Sequence, residues 1–285
     1  MSAPWRPTSR RPWWGETAVS DYAALADLLK RRAGLDLSGY RPEQMERRLY
    51  GALQRMGLRS VGELLARARR DPEVLRELVD RLTINVSEFF RNPELFEVLR
   101  QRVLPELRGQ FGALRVWSAG CSHGAEAYSV AMLLAEQDPT GPWSVLGTDI
   151  DRTALAQAEA GRYREEEVRH VSAARRQRFL MRDGDGWQVH PSLRARVRFR
   201  RHDLLTEPFG GPWHLILCRN VVIYFTEEAK RVLYRKFAEA LHPGGYLFVG
   251  AAEQVTGARE LGLQPTFPFF YRKVTTPWNA APKNS

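Results

Sequence analysis

Residues 115–131, RVWSAGCSHGAEAYSVA, decide the fold. Arg115 to Ser118 reads as a short apolar strand, Ala119 to Gly124 as a tight loop of small residues, and the stretch from Ala125 as an apolar-periodic helix. The next apolar run, VLGTDID, ends on an acid at Asp149. A strand, a glycine loop and a helix, with an acid closing the following strand, is how doubly wound α/β proteins hold a nucleoside cofactor. The loop AGCSHGAEA lacks the GxGxxG spacing of dinucleotide sites. No GxxxxGK[ST] phosphate loop is present either. Taken alone, the segment fits two readings equally: a nucleoside loop, or a plain strand-to-helix turn with Asp149 capping the next helix.

Outward from that segment, strands and helices alternate. LRVWS, SVLGTD, HLILCRN and GYLFVG read as strands, with EAYSVAMLLAE, DRTALAQAEAG and EEAKRVLYRKFAEAL as the helices between them. PFFYRKV closes the set. The alternation predicts a mostly parallel sheet covered on both faces. His242-Pro243-Gly244-Gly245 is expected as the helix-to-strand turn. Residues 161–202 break the rhythm and are read as a small β-rich insertion ending in a basic strand. Two polar clusters flank the α/β part. Asn85, Ser87 and Arg91 sit beside Phe89 and Phe90, while Arg219 and Asn220 end an apolar strand with Tyr224 just beyond. Polar groups at adjacent parallel strand ends face the crevice where such folds bind ligands.

The N-terminal third is different. Residues 1–17, with Trp5, Trp13 and Trp14, read as a flexible tail, and residues 18–108 as all-helical. Ser20 is placed as a helix cap with Gly34 as the stop, and Ser60 with Glu63 as a capping box. Asp71-Pro72 and Asn92-Pro93 both read as a cap followed by proline at the first helical position. Arg41, Arg47, Arg48 and Arg55 fall on one face of the second helix, a candidate docking surface.

Net charge is +10, and residues 161–202 hold 12 Lys/Arg against 5 Asp/Glu. A basic patch suits nucleic acid, a membrane surface or an acidic protein. No apolar run reaches the roughly 18 residues of a membrane span. The N-terminus lacks a secretory apolar segment. Cys121 and Cys218 stand far apart with no Cys/His cluster, so no metal is assigned. These features together predict a cytoplasmic protein.

Four blocks in order, TINVSEFFRNPELF, VWSAGCSHGAEAYSVA, GTDIDRTALAQAEAGRY and LILCRNVVIYF, with VRFRRHDLL and LHPGGYLFVGAAE in support, span most of residues 82–253. On these the chain resembles the CheR-type chemoreceptor glutamate O-methyltransferases. The resemblance implies a Rossmann-like class I methyltransferase sheet, of α/β class, with an all-helical N-terminal domain and a small β insertion. It frames the chain as a tail (1–17), a helical domain (18–81), a linker helix region contributing to the cofactor site (82–108), a methyltransferase domain (109–274, insertion 161–202) and a C-terminal tail (275–285). It implies S-adenosylmethionine as cofactor, S-adenosylhomocysteine as product and no metal. Position by position, Asn85, Ser87, Arg91, Gly120, Glu126, Asp149, Asp203, Leu204, Arg219 and Asn220 match cofactor-binding positions. Asp149 matches the ribose acid and Tyr224 a tyrosine near the transferred methyl. Ser87 stands where the family usually has Thr. The loop reads CSHGAEAYS where CSTGEEPYS is common, so His123, Ala125 and Ala127 depart from the pattern.

Methylating a glutamate suits such a site. A carboxylate is ionised at neutral pH, with an ordinary pKa of about 4.3. It therefore needs alignment rather than a general base. Arg91 is expected to hold the acceptor carboxylate by paired hydrogen bonds, with Tyr224 as the other catalytic residue. The implied partner is the cytoplasmic helical bundle of a chemoreceptor, met by the basic N-terminal helices and the insertion, with no nucleic acid and no membrane insertion. Two alternatives stand beside this: a nucleic-acid methyltransferase, or a non-catalytic cofactor-sensing or scaffolding protein. The Asn-Pro-Pro-Tyr tetrapeptide associated with amine methylation is absent.

Overall fold

The structure, a computed structural model, describes residues 17–83 and 87–274. The expected tails and Asn85 lie outside the described residues. The chain separates into two compact units, Met1–Ile84 with Tyr224–Lys230, and Asn85–Ile223 with Arg231–Ser285.

The helical unit contains α1 (Thr17–Leu28), α2 (Pro42–Arg55), α3 (Val61–Arg70) and α4 (Pro72–Leu82). Nothing between Thr17 and Ser20 breaks a helix, so α1 starts ahead of Ser20, which is not its cap. The helix continues as a wider turn, Leu29–Ala33, and Gly34 ends it at φ 68° by donating its N–H to Leu29 O. Ser60 Oγ accepts from Glu63 N at 3.1 Å, but the return bond from Glu63 runs to Arg59 N. Asp71 Oδ1 accepts from Glu73 N at 2.8 Å, with Pro72 at the first helical position. Leu25, Leu29, Met45, Leu49, Leu64 and Leu78 are buried as the core of this unit.

The segment Tyr224–Lys230 is woven into the same unit. Tyr40 and Phe225 form an antiparallel bridge, their rings edge-on at 4.9 Å. Arg41 donates to Phe225 O at 3.2 Å and pairs with Glu227 at 2.6 Å. The Arg48 guanidinium lies 4.1 Å over the Tyr224 ring and also donates to Leu82 O. The expected docking face is therefore corrected. Arg41 and Arg48 are turned to partners of their own unit, and Arg47 and Arg55 remain exposed.

The α/β unit is built on a seven-stranded sheet of β1 (Leu114–Ala119), β2 (Trp143–Asp149), β6 (Val197–Arg201), β7 (Trp213–Cys218), β8 (Leu241–Val249), β9 (Leu263–Phe267) and β10 (Phe270–Lys273). Their order is β6-β2-β1-β7-β8-β10-β9, parallel through β8, with β10 antiparallel to both its neighbours. Helices α5 (Pro93–Val98), α6 (Leu104–Gln110), α7 (Ala125–Gln137), α8 (Arg152–Ala160) and α11 (Glu227–Ala240) join or cover the strands. Alternation along β1 sends Trp117 to one face, against Phe209, Trp213 and Phe237 of α11. It sends Ser118 to the other face, toward α7.

Two expectations are corrected here. The insertion is shorter than 161–202. A three-stranded sheet, β3 (Arg162–Tyr163), β5 (Gly186–Val189) and β4 (Leu180–Asp183) in that order, forms it together with α9 (Ala173–Phe179) and α10 (Pro191–Arg194). The basic strand β6 leaves it and pairs in parallel with β2, from Val145↔Val197 to Asp149↔Arg201. Its apolar residues Val197 and Phe199 turn inward and its exposed Arg198 and Arg200 outward, as suits a sheet edge. The second correction concerns His242 to Gly245. These residues are not a turn ahead of the strand but a bulged register shift inside β8, opposite Trp213 to Leu215. A Cβ at Gly245 would meet three carbonyl oxygens at 2.9–3.0 Å, which is why only glycine fits there.

Candidate functional site

Because β2, β1 and β7 run parallel, their C-terminal ends, Asp149, Ala119 and Cys218, come out on one edge of the sheet. The loop after β1 folds back across that edge. Gly120 and Cys121 donate to Thr148 O at 2.8 and 2.9 Å. The turn needs positive φ at Gly120 (76°), Ser122 (50°) and Gly124 (86°). A Cβ on Gly124 would come within 2.7 Å of Ala158 Cβ, so loop and helix α8 touch through the missing side chain.

Asp149 is fastened by the backbone around it. Its Oδ2 accepts from Ser122 N at 2.7 Å and its Oδ1 from Asp151 N at 3.0 Å. A carboxylate has about four acceptor sites, and with backbone donors at Ser122, Asp151 and Ile150 acceptor capacity is left for a further donor such as a ribose hydroxyl. Burial pushes the Asp149 carboxyl above its ordinary range, and the backbone donors at Asp151 and Ser122 pull against that shift. The helix after β2 is capped by the neighbouring acid, Asp151, whose Oδ1 accepts from Thr153 N and Ala154 N. Asp149 is thus not spent as a cap.

Beside it runs a buried charged network. Ser118 Oγ donates to Glu126 Oε1 at 2.8 Å, and Arg219 Nη1 donates to Glu126 Oε2 at 3.3 Å. Arg219 Nη2 reaches Arg91 O at 2.9 Å and Asn92 Oδ1 at 3.0 Å. The guanidinium lies 4.6 Å from the Phe248 ring centre, with the side chain 1% exposed. Burial drives the Glu126 carboxyl up and the Arg219 guanidinium down, and their mutual attraction opposes both shifts. The positive charge of Arg91 also acts on Glu126. Asn92 stands at the N-cap position ahead of Pro93, and its carbonyl accepts from Leu95 N at 2.9 Å, but at φ 61° its side chain makes no capping bond and gives its oxygen to Arg219 instead.

Arg91, Glu126 and Arg219 are thus joined in one network, with Gly120 on the adjoining loop and Asp149 at the end of β2 beside it. Asp203 and Leu204 follow β6, beside Asp149: His202 N donates to Asp149 O at 2.8 Å. Asp203 is buried and holds its own turn, accepting from Leu205 N at 2.9 Å and Thr206 Oγ1 at 2.8 Å. Asn220 follows Arg219 at φ 60°. Ser87 is half-buried in the α/β unit. Tyr224 belongs to the helical unit, under Arg48.

Sequence reasoning missed Ser118, and it gave Asn92 and Arg48 other roles, as a helix cap and as part of a docking face. Ser118 had a signal, since a polar residue at a buried strand end needs a partner. The departures in the loop are accommodated inside the unit. Ala125 and Ala127 are fully buried, and His123 is buried with Nε2 3.6 Å from Glu167 Oε1, while its carbonyl accepts from Tyr163 OH at 2.6 Å. Burial lowers the affinity of His123 for a proton. Among the described residues no cluster of His, Cys, Asp and Glu could hold a metal, and no helix is long and apolar enough to cross a membrane.

Comparison with known proteins identifies the family. Residues 85–264 match the family described as CheR methyltransferase, SAM binding domain, and residues 20–83 match CheR methyltransferase, all-alpha domain. A chemotaxis protein methyltransferase of Listeria monocytogenes is 40% identical over 254 residues, covering 89% of this chain and 97% of that protein. Chemotaxis protein methyltransferase 1 of Pseudomonas aeruginosa is 38% identical over 248 residues, covering 83% and 90%. The Escherichia coli chemotaxis protein methyltransferase is 34% identical over 249 residues, covering 83% and 85%. With both domain matches in order along the chain, this protein belongs to the CheR methyltransferase family, whose SAM-binding domain forms its sheet.

Proposed function

We propose that the protein transfers the methyl group of S-adenosylmethionine to glutamate carboxylates of a chemoreceptor, giving glutamate methyl esters and S-adenosylhomocysteine. The observation that carries this reading is the pairing of Asp149, with acceptor capacity left for a ribose hydroxyl, and the Ser118–Glu126–Arg219 network along one edge of a parallel sheet. The names of the relatives, chemotaxis protein methyltransferases, support the receptor as acceptor.

In this reading Gly120 lets the cofactor approach the backbone, Asp149 holds the ribose and Glu126 faces the donor. Asp203 and Leu204 lie beside the adenine, and Asn85, Ser87, Arg219 and Asn220 complete the cofactor contacts. Arg91 grips the acceptor carboxylate through paired hydrogen bonds, and Tyr224 serves the acceptor. The bound cofactor supplies an electrophilic methyl on a sulfonium. The protein's part is to align an already ionised oxygen with it, and no metal is required. The acceptor is a cytoplasmic helical bundle, approached by exposed arginines such as Arg47 and Arg55 and by the insertion.

The test is to incubate the protein with methyl-labelled S-adenosylmethionine and receptor-containing membranes, then treat with mild base. Carboxyl methyl esters release labelled methanol. Absence of base-labile label, despite cofactor binding, would overturn the proposal.

A further inference from the structure

The block LHPGGYLFVGAAE ends on an acid, Glu253, to which the cofactor reading gives no task. Glu253 is 5% exposed, and the charge of the buried Arg219 guanidinium acts on it. Four backbone N–H groups converge on its carboxylate. Oε2 accepts from Gly250 at 2.7 Å and Asn220 at 2.9 Å, and Oε1 accepts from Val221 at 3.0 Å and Val222 at 3.1 Å. Two donors on each oxygen fill the acceptor capacity of a carboxylate. Three of the four come from the residues directly after Arg219.

Those residues hold a conformation that would not keep itself. Asn220 has φ 60°, a left-handed setting with a cost for a residue bearing a Cβ. Three successive N–H groups pointing inward would stay unsatisfied in a buried turn without an acceptor. The nest also leaves no room for change at Gly250, where a Cβ would stand 2.6 Å from Glu253 Oε2 and 2.9 Å from Asn220 N. The turn then reaches the glycine loop. Val221 packs against Gly120 so closely that its methyl would collide with a Cβ there. One carboxylate thus sets Asn220 and, through Val221, the approach to Gly120.

We infer that Glu253 is the positioning residue of the cofactor site, fixing the Asn220–Val222 turn so that Asn220 and the Gly120 loop meet S-adenosylmethionine in a preformed geometry. This rests on the cofactor reading of Gly120 and Asn220 given above. It assigns Glu253 no contact with the cofactor and no share in the methyl transfer.

The test uses the full chain and S-adenosylmethionine in calorimetry, together with steady-state turnover. Glu253→Gln keeps the shape but sets an NH2 group against two N–H donors. It is expected to raise Kd and KM for the cofactor at least about tenfold while kcat at saturation changes less than about threefold, since lost bonds to a charged acceptor act on binding. Gly250→Ala leaves the carboxylate intact and crowds it, so it should raise Kd in the same direction and decides the matter if Glu253→Gln does not fold. A lowered Tm with wild-type Kd in the folded protein would reduce Glu253 to a purely structural role and overturn the inference. Wild-type Kd and KM in both variants would do the same. A wild-type chain that takes up no S-adenosylmethionine would instead bring down the cofactor reading, and this inference with it.

Discussion

Among the arginine–glutamate clusters of the α/β unit, one at the sheet edge and one on the insertion are similar in composition and opposite in physical standing. In one, Arg219 meets Glu126 with 1% and 14% of their side chains exposed. In the other, on the insertion, Arg176 and Arg182 share Glu165, which also accepts from Trp187 Nε1 at 2.8 Å, and the Arg182–Glu165 pair is 61% and 51% exposed. Water screens the second pair, so it contributes little to folding. The first is out of water, so each charge depends on the other and on Ser118, Asn92 and the Arg91 carbonyl for its remaining bonds. Residue type alone does not separate a scaffold from a surface; desolvation does.

The sharpest way to break this comparison is Arg219→Ala. It leaves Glu126 buried without its hydrogen-bonded counter-charge, and a loss of about 3–5 kcal/mol of folding stability is expected, read by denaturant unfolding. A loss below about 1 kcal/mol would put the buried pair on a par with an exposed one. Next comes Asp149→Ala, which removes a charge-assisted acceptor worth about 1.5–3 kcal/mol and should weaken cofactor binding about ten- to a hundredfold. Calorimetry with unchanged affinity would remove Asp149 from the site. Arg91→Ala is expected to lower turnover about tenfold or more with a smaller effect on cofactor affinity, because a charged hydrogen bond to the acceptor is lost. Equal effects on both would make Arg91 a cofactor ligand only.

Acidification comes fourth. Burial raises the Asp149 carboxyl, so on lowering the pH it takes up a proton sooner than an ordinary aspartate near pKa 3.9. Protonation removes the acceptor, so cofactor affinity should fall as pH drops, starting above that ordinary value. A Kd flat to about pH 4 would contradict the raised carboxyl. Last, Arg182→Ala on the insertion should leave Tm and cofactor affinity unchanged. A clear drop in Tm would show that the exposed cluster is a structural element after all.

Much of this was legible in the chain. The α/β alternation, the glycine loop and the acid at Asp149 have local signatures, because strand and helix periods and positive-φ turns leave marks on neighbouring residues. The misreadings also have local causes. Asn92-Pro93 has the pattern of a cap, and only Arg219, far along the chain, claims the asparagine oxygen. Val197–Arg201 resembles the basic insertion that precedes it, yet pairing with β2 decides where it belongs. Arg48 lies on the same helix as exposed Arg47 and Arg55, and Tyr224 draws it inward.

By itself, the sequence determined the fold class, the family resemblance and the acids and glycines of the loop, since each depends on spacing within one short stretch. Tertiary structure alone decided which charges are buried, which are paired and what each polar atom does. Arg219 draws its partners from Glu126 in α7 and from Arg91 and Asn92 just before α5, and Glu253 gathers the turn after β7 from beyond β8. Desolvation and hydrogen-bond satisfaction are properties of a closed interior, and they arise only once distant segments meet.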